Sequence, residues 1–246
     1  MPEEVAARAR SFGHVADDYE EARPGYPPEA VAWLLGPTPL DVADVGAGTG
    51  KLTSGLLAAG HRVVAVEPLD PLRAKLAAAL PAARALPGRA EELPLPDAGV
   101  DAVVAGQAFH WFDLEPALAE IARVLRPSGT LGLIWNFRDE SQGWMRELSR
   151  ITGGPESSQR PWSALLEASP RVESVERREC RLEHPVDRDR LLALVRSWSY
   201  VSSLPPSENR RVLDAVDNLW DEHPDLRGRT GATLTYRTEA YRCRMG

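Results

Sequence analysis

The sequence lacks most of the features that mark secreted, membrane-spanning or nucleic-acid-binding proteins. Its 246 residues hold only two cysteines, Cys180 and Cys243, which are too few for a disulfide framework. No apolar run approaches the roughly 18 residues that a membrane-crossing helix needs, and the polar, acidic N-terminus is not typical of a signal or transit peptide. A net charge of −7 argues against nonspecific nucleic-acid binding, which depends on basic surfaces. We therefore expect a cytoplasmic protein with no membrane or nucleic-acid partner, present as a monomer or homodimer.

Metal-binding patterns are missing as well. No cluster of His, Cys, Asp or Glu residues has the spacing of a metal site, and we expect no metal. What remains is the composition of an ordinary globular protein, with 43% hydrophobic and 26% charged residues. A chain of this length suits one large domain with a modest appendage.

Residues 41–136 alternate between the two periods of hydrophobicity that distinguish strands from helices. The pattern predicts strands at 41–48, 61–68, 83–86, 99–109 and 130–137, and helices at 51–60, 71–80 and 115–125. Strands that alternate with helices in this way are typical of an α/β doubly wound parallel sheet.

The flanking segments have a different pattern, although we expect residues 1–246 to form a single domain. Residues 1–38 predict an N-terminal helical segment that serves as a lid, and residues 39–137 form the core. Residues 138–246 predict a helical substrate cap together with the last two strands. Within that part, the pattern predicts extended segments at 171–186 and 232–245 and helices at 187–204 and 207–223.

A glycine-rich loop follows the first predicted strand. Gly46, Gly48 and Gly50 occupy alternate positions in "GAGTG", which permits a tight turn and a close approach of a ligand to the backbone. Glu67 ends the second predicted strand, where an acidic side chain can accept hydrogen bonds from ribose hydroxyls. The two features together predict a nucleoside-binding site.

These motifs resemble those of the class I S-adenosylmethionine-dependent methyltransferases. "DVGAGTGKL" resembles the first motif of that family, and "RVLRPSGTLGLIWN" resembles the stretch that leads into its fifth strand. The resemblance implies a Rossmann-like fold with a seven-stranded, mostly parallel sheet whose seventh strand is antiparallel. More narrowly, "ARPGYPPE", "QAFHWFD" and "RSWSYV" are similar to the subgroup that contains trans-aconitate methyltransferase and related enzymes that act on small molecules.

The resemblance also implies S-adenosylmethionine as the cofactor and S-adenosylhomocysteine as the product. It assigns the ribose to Glu67, the methionine part to the backbone of the glycine loop, and the cofactor's carboxylate to Arg23, although an ordinary surface ion pair of Arg23 stays open. The full set of cofactor residues that it implies is Tyr19, Arg23, Gly46, Ala47, Gly48, Glu67, Pro68, Ala90, Glu91 and Gln107.

The aromatic run after the fourth strand contains the candidates for catalysis. His110 is a candidate general base, because imidazole can take up a proton near neutral pH, but a packed core histidine is an open alternative. Trp111 can donate a hydrogen bond to a substrate or simply form a wall of the pocket. If residues 187–204 form one helix, Arg196 and Tyr200 share a face of it. We expect the methyl acceptor to contact Phe109, Trp135, Arg138, Trp198 and Tyr200.

The sequence therefore predicts an enzyme that transfers a methyl group to the carboxylate, hydroxyl or amine of a small molecule. Two other functions stay open at this point. One is an NAD(P)-dependent oxidoreductase on a similar sheet, although "GAGTGK" lacks the GxGxxG spacing of the dinucleotide-binding fingerprint. The other is a protein of this fold that binds the cofactor without methyl turnover.

Overall fold

The computed structural model describes residues 23–153 and 160–246. Nine helices in the described residues are α1 Pro28–Leu35, α2 Lys51–Ala58, α3 Asp70–Ala79, α4 Leu114–Val124, α5 Gly143–Thr152, α6 Trp162–Glu167, α7 Arg188–Ser197, α8 Ser199–Ser202 and α9 Pro206–Glu222. The strands there are β1 Asp41–Val45, β2 Arg62–Val66, β3 Arg84–Leu86, β4 Val100–Gly106, β5 Leu125–Arg138, β6 Val172–Val186 and β7 Ala232–Met245. The short turn Phe109–Trp111 is a 3₁₀ helix.

The strands form a seven-stranded sheet in the order β3-β2-β1-β4-β5-β7-β6. β1 pairs in parallel with β2 and β4, and β2–β3 and β4–β5 are also parallel. β6 and β7 run in opposite directions, since Arg177 pairs with Glu239 while Arg237 pairs with Glu179. This mostly parallel sheet with helices confirms the fold class predicted from the sequence, including the antiparallel last strand.

Three of the differences from the sequence prediction concern β4, β5 and the helix predicted over 187–204. β4 ends at Gly106 rather than at Phe109, because Gln107 has a φ of 53° and turns the chain out of the strand. β5 begins at Leu125 rather than at residue 130, and residues 126–129 form a bulge that shifts the register between Val100 and Ala102. The helix predicted over 187–204 breaks at Trp198, whose ψ of 129° is extended. Arg196 and Tyr200 therefore do not share a helix face.

The chain divides into two compact units, and the larger contains residues 25–137, 157–182 and 237–246. Both faces of its sheet are buried, because alternate residues of the central strands enter two separate apolar clusters. In β4, Val103 and Ala105 join one cluster, whereas Ala102 and Val104 join the other. α4 buries Leu118 and Ile121 against the first of these clusters. The carboxyl ends of β1, β2, β4 and β5 thus belong to strands that are packed on both faces.

The smaller unit contains residues 138–153, 183–236 and the described residues Arg23 and Pro24. α9 packs against α5 and α7. α7 begins at a capped end, where the Asp187 side chain accepts a hydrogen bond from the backbone N–H of Arg190. Over the part of the chain that the structure describes, no helix is both long and apolar enough to cross a bilayer. The single-domain organisation with its lid and cap stays a prediction.

Candidate functional site

The glycine loop connects β1 to α2 in a conformation that requires glycine. Gly46, Gly48 and Gly50 have φ angles of 71°, 59° and 96°, all in the left-handed region. A Cβ on Gly46 would lie 2.7 Å from the Cβ of Ala108, whereas a Cβ on Gly48 would meet no atom within 4 Å. Gly46 is therefore needed for packing, while Gly48 faces open space at the N-terminus of α2, where backbone N–H groups favour negative charge.

Glu67 joins the end of β2 to this loop. Its Oε2 accepts a hydrogen bond from the N–H of Gly48 at 2.8 Å, and its Oε1 accepts one from the N–H of Leu69 at 2.9 Å. Burial raises the pKa of the Glu67 carboxyl, and the two backbone hydrogen bonds and the nearby Arg73 act in the opposite direction. Each carboxylate oxygen keeps further lone-pair capacity, so Glu67 can accept hydrogen bonds from a diol.

Asp44, on β1 beneath the loop, was not among the residues predicted from the sequence. Its Oδ2 accepts a hydrogen bond from the Thr53 hydroxyl at 2.6 Å, but its Oδ1 is buried with no hydrogen-bond partner among the described residues. Burial, with a contribution from the Glu67 charge, raises the pKa of Asp44 to about 7. A carboxyl between the apolar residues Ala43 and Val45, two residues before the glycines, was the signal that could have identified it.

Gln107 lies at the carboxyl end of β4, beside the glycine loop, in a left-handed conformation that is rare for a residue other than glycine. Its backbone N–H donates to Ile134 and its side-chain amide donates to the carbonyl of Asn136 at 3.0 Å. Both bonds tie the end of β4 to β5. Strained residues of this kind persist where surrounding contacts hold them, and they are concentrated at binding sites.

The aromatic run follows directly and folds back onto the core. Phe109 is buried and contacts Phe112 and Trp162 in edge-to-face arrangements. Trp135 is fully buried and stacks on Trp162, with ring centroids 5.1 Å apart. Its indole N–H donates to Nδ1 of the half-buried His110 at 3.3 Å. Phe109 and Trp135 therefore lie inside the core, and Trp135 holds one ring nitrogen of His110.

The remaining predicted cofactor residues of this unit differ in exposure and in their contacts. Ala90 is buried and Pro68 is exposed. The Glu91 carboxylate accepts a hydrogen bond from the N–H of Asp113 at 2.9 Å and forms an ion pair with Arg89, so it also holds the start of α4. Trp111 is 42% exposed, which makes it the only large hydrophobic side chain so exposed among the described residues.

In the smaller unit the structure brings together Arg138, Trp198 and Tyr200. The Arg138 guanidinium lies 4.4 Å from the centre of the Trp198 ring and donates to the Tyr200 hydroxyl at 2.9 Å. Arg23 donates to the carbonyl of Ser197 at 2.8 Å and to its hydroxyl at 3.3 Å. Tyr19, the other predicted residue of the N-terminal segment, lies outside the described residues.

Comparison with known proteins agrees with this geometry. A model of the methyltransferase domain matches residues 43–133. Over 235 residues the chain is 44% identical to an uncharacterized methyltransferase of Mycobacterium tuberculosis, and the match covers 96% of each chain. It is 34% identical to an uncharacterized methyltransferase-like protein of Schizosaccharomyces pombe, over 94% of each chain.

Solved structures lead to the same family. A proposed type II methyltransferase from Anaeromyxobacter dehalogenans superimposes with a TM-score of 0.68 at 25% identity, over 90% of this chain and 97% of that one. The narrower resemblance to trans-aconitate methyltransferase stays a prediction. The glycine loop, the sheet order and the near full-length relatives lead to one conclusion: the chain belongs to the class I methyltransferase family.

Proposed function

We propose that this chain transfers a methyl group from S-adenosylmethionine to a small-molecule acceptor. The observation that carries the proposal is the Glu67 carboxylate, whose two oxygens are held by the backbone N–H groups of Gly48 and Leu69. This arrangement presents a fixed acceptor for a ribose diol directly beside the glycine loop. A structural turn does not require a buried carboxylate in that position.

Two further observations test whether the residues present fit this cofactor. The Cβ direction of Gly48 opens into free space, so the backbone can be approached closely there. Asp44 contributes a buried oxygen without a partner beneath the same loop, and an unpaired buried oxygen favours a donor such as an ammonium group. The amino-acid part of S-adenosylmethionine carries such an ammonium, and its nucleoside carries the diol. The residues fit the cofactor.

The roles follow from these positions. Glu67 holds the ribose, the backbone of Gly46, Ala47 and Gly48 approaches the methionine part, and Asp44 pairs with the ammonium. Gln107 lies beside the glycine loop at the end of β4 and faces the same group. The remaining cofactor contacts that we propose, to the adenine and to the carboxylate, are Pro68, Ala90, Glu91, Tyr19 and Arg23.

When bound, S-adenosylmethionine supplies a methyl group that its positively charged sulfur has already activated. The chain therefore needs chiefly to bind and orient the acceptor in line with that group. A carboxylate acceptor needs no base, whereas a hydroxyl or a protonated amine does. The hydrogen bond from Trp135 to Nδ1 of His110 bears on this choice. A neutral imidazole that accepts at Nδ1 carries its proton on Nε2, so His110 donates a hydrogen bond rather than removing a proton.

We propose that Trp111, beside His110 and largely exposed, contacts the acceptor through its face or its N–H group. Phe109 and Trp135 support this surface from the core. We also propose Arg138, Trp198 and Tyr200 as contacts of the acceptor. The spacing of the glycines argues against the oxidoreductase, because a dinucleotide fingerprint would place glycine at the position of Lys51.

The test is a calorimetric titration of S-adenosylhomocysteine into the wild type and two variants. Glu67→Gln places an amide N–H₂ against a backbone N–H, so we expect binding at least ~10-fold weaker, about 1.4 kcal/mol. Glu115→Gln, at an exposed carboxylate in the first turn of α4, is the matched control and should bind like the wild type.

Equal affinity of the Glu67→Gln variant and the wild type would contradict the proposed ribose site. Turnover is tested separately, by release of S-adenosylhomocysteine from S-adenosylmethionine with small acids, phenols and amines. Tight binding without release from any of them would instead support a protein that binds the cofactor without methyl turnover.

A further inference from the structure

Arg138, at the end of β5, is a half-buried cation whose side-chain hydrogen bonds go to neutral groups. Its Nη1 donates to the Tyr200 hydroxyl, its Nε donates to the Ser149 hydroxyl at 3.0 Å, and its Nη2 makes a long contact of 3.4 Å with the carbonyl of Gly153. Its plane lies over the Trp198 ring. Within residues 23–153 and 160–246, no carboxylate forms an ion pair with it, whereas Arg62, Arg123 and Arg188 each pair with an aspartate.

The donors of this guanidinium are only partly used. An arginine has five N–H groups, and these contacts engage three of them, one on each nitrogen. One N–H remains on each terminal nitrogen, which is the number that a two-point contact with a carboxylate requires. The contacts to Tyr200 and Ser149 also hold the plane in one orientation, so little further ordering is needed when an anion binds.

The electrostatic environment nearby is also positive. Burial raises the pKa of the Tyr236 phenol well above its usual value, and the charged groups that act against this rise are Arg138 and Arg23. Two guanidinium groups therefore act on the same buried hydroxyl. The Trp198 ring compensates the Arg138 charge in part, because an aromatic face attracts a cation, but this attraction is weaker than that of a countercharge.

We propose that Arg138, Tyr200 and Trp198 form a subsite for a carboxylate group carried by the methyl acceptor. This proposal rests on the proposed function and narrows its substrate class to small organic acids. The Arg138 guanidinium binds the carboxylate, and the Tyr200 hydroxyl keeps that guanidinium in place. The buried Trp198 ring, which stacks with Tyr200, supports the guanidinium from one side. The same chemistry could serve the carboxylate of the cofactor, so the experiment separates the two sources.

The experiment titrates succinate and benzoate, and their neutral counterparts succinamide and benzamide, into protein saturated with S-adenosylhomocysteine. We expect the wild type to bind at least one acid more tightly than its amide. Arg138→Met should weaken the binding of that acid ~10- to 100-fold, because a charge-assisted contact is lost, and should leave the affinity for the amide unchanged. Arg138→Lys keeps the charge but not the planar fork, and should give an intermediate loss.

Arg146→Met, at an exposed arginine on the same helix as Ser149, is the matched control and should bind like the wild type. Equal binding of acid and amide by the wild type, or equal binding of the acid by wild type and both Arg138 variants, would overturn the proposal. Melting temperatures of all variants show that they are folded.

A second titration compares S-adenosylhomocysteine with 5′-methylthioadenosine, which lacks the amino-acid carboxylate. We expect Arg138→Met to leave the affinity of both unchanged. A loss confined to S-adenosylhomocysteine would place the cofactor's carboxylate at Arg138 and overturn its assignment to the acceptor. Failure of the proposed function is seen independently, as absence of S-adenosylhomocysteine binding by the wild type.

Discussion

The indole N–H of Trp135 donates a hydrogen bond to Nδ1 of His110 across 3.3 Å, and so connects β5 to the turn that follows β4. The Trp135 ring is itself held in place, because it stacks on Trp162 with an interplanar angle of 12° and packs edge-on against Tyr241. An indole nitrogen can only donate, so the neutral His110 ring must accept at Nδ1. The packing of the core therefore sets which ring nitrogen carries the proton.

We predict that Trp135→Phe lowers kcat/KM about 3- to 10-fold with little change in melting temperature. The phenyl ring keeps the stacking on Trp162 but loses the N–H donor, and a neutral hydrogen bond contributes ~0.5–1.5 kcal/mol. Trp220→Phe is the matched control, because Trp220 also donates from a buried indole, to the carbonyl of Arg229. Unchanged kcat/KM in Trp135→Phe would show that the tautomer of His110 has no role.

A second prediction concerns the chemistry of His110 itself. His110→Gln keeps a side-chain N–H donor but cannot act as a base at neutral pH, so we expect kcat/KM to fall less than ~10-fold. A general base would instead be worth ~10²- to 10⁴-fold. The pH profile of kcat/KM for both proteins, with S-adenosylhomocysteine release as the readout, checks this. A loss of 100-fold or more would restore His110 as the base.

The glycine loop offers a paired test of packing against binding. Gly46→Ala and Gly48→Ala both place a Cβ on left-handed backbone, which costs ~1 kcal/mol. Only Gly46→Ala also drives its Cβ into Ala108, so it should lose a further ~1–3 kcal/mol of unfolding free energy. Gly48→Ala should lose less unfolding free energy than Gly46→Ala. Its binding of S-adenosylhomocysteine should nevertheless weaken by more than its own loss of unfolding free energy. Urea unfolding and calorimetry measure the two effects, and the reverse ranking would contradict the proposed approach of the cofactor to Gly48.

Asp44 makes the stability of the ligand-free protein depend on pH. Its pKa is raised from 3.8 to about 7, so between these values the folded state holds a proton that the unfolded state has lost. The contribution of Asp44 to stability is therefore greatest below pH ~4, falls by up to ~1.4 kcal/mol per pH unit as the pH rises to about 7, and is then constant.

Asp44→Asn removes this dependence and keeps an oxygen that can accept the hydrogen bond from Thr53. We predict that its unfolding free energy relative to wild type is higher at pH 8 than at pH 5, while its affinity for S-adenosylhomocysteine falls. Asp101→Asn is the control, because hydrogen bonds from Arg126 lower the pKa of Asp101, and its effect should be equal at pH 5 and pH 8. A difference for Asp44→Asn that is the same at both pH values would show that Asp44 is ionised throughout.

The features of the fold that could be predicted from the sequence are those that short, local residue patterns determine. The alternation of strands and helices and the glycines after β1 each have a short-range signature, and the structure places Glu67 against the loop as that signature implies. The left-handed turn at Gln107 has no such signature, because its backbone is held by bonds to β5 that are distant in sequence.

Other features depend on burial, which the sequence does not report residue by residue. The isolation of Asp44 Oδ1 and the enclosure of Trp135 arise only when the strands and α6 pack together. The sequence pattern around Trp198 predicts that the helix continues. In the structure the Trp198 ring lies against Arg138, and the helix ends at Ser197. At Trp198, tertiary contacts override local helix propensity.

The central claim is that the loop beside Glu67 binds S-adenosylmethionine, and a comparison of S-adenosylhomocysteine with a dinucleotide as ligands tests it most directly. Calorimetric titration of wild-type protein with S-adenosylhomocysteine and, separately, with NADPH uses the same preparation and buffer. We predict saturable binding of S-adenosylhomocysteine to one site per chain and no measurable heat from NADPH. Binding of NADPH without a response to S-adenosylhomocysteine would contradict the account.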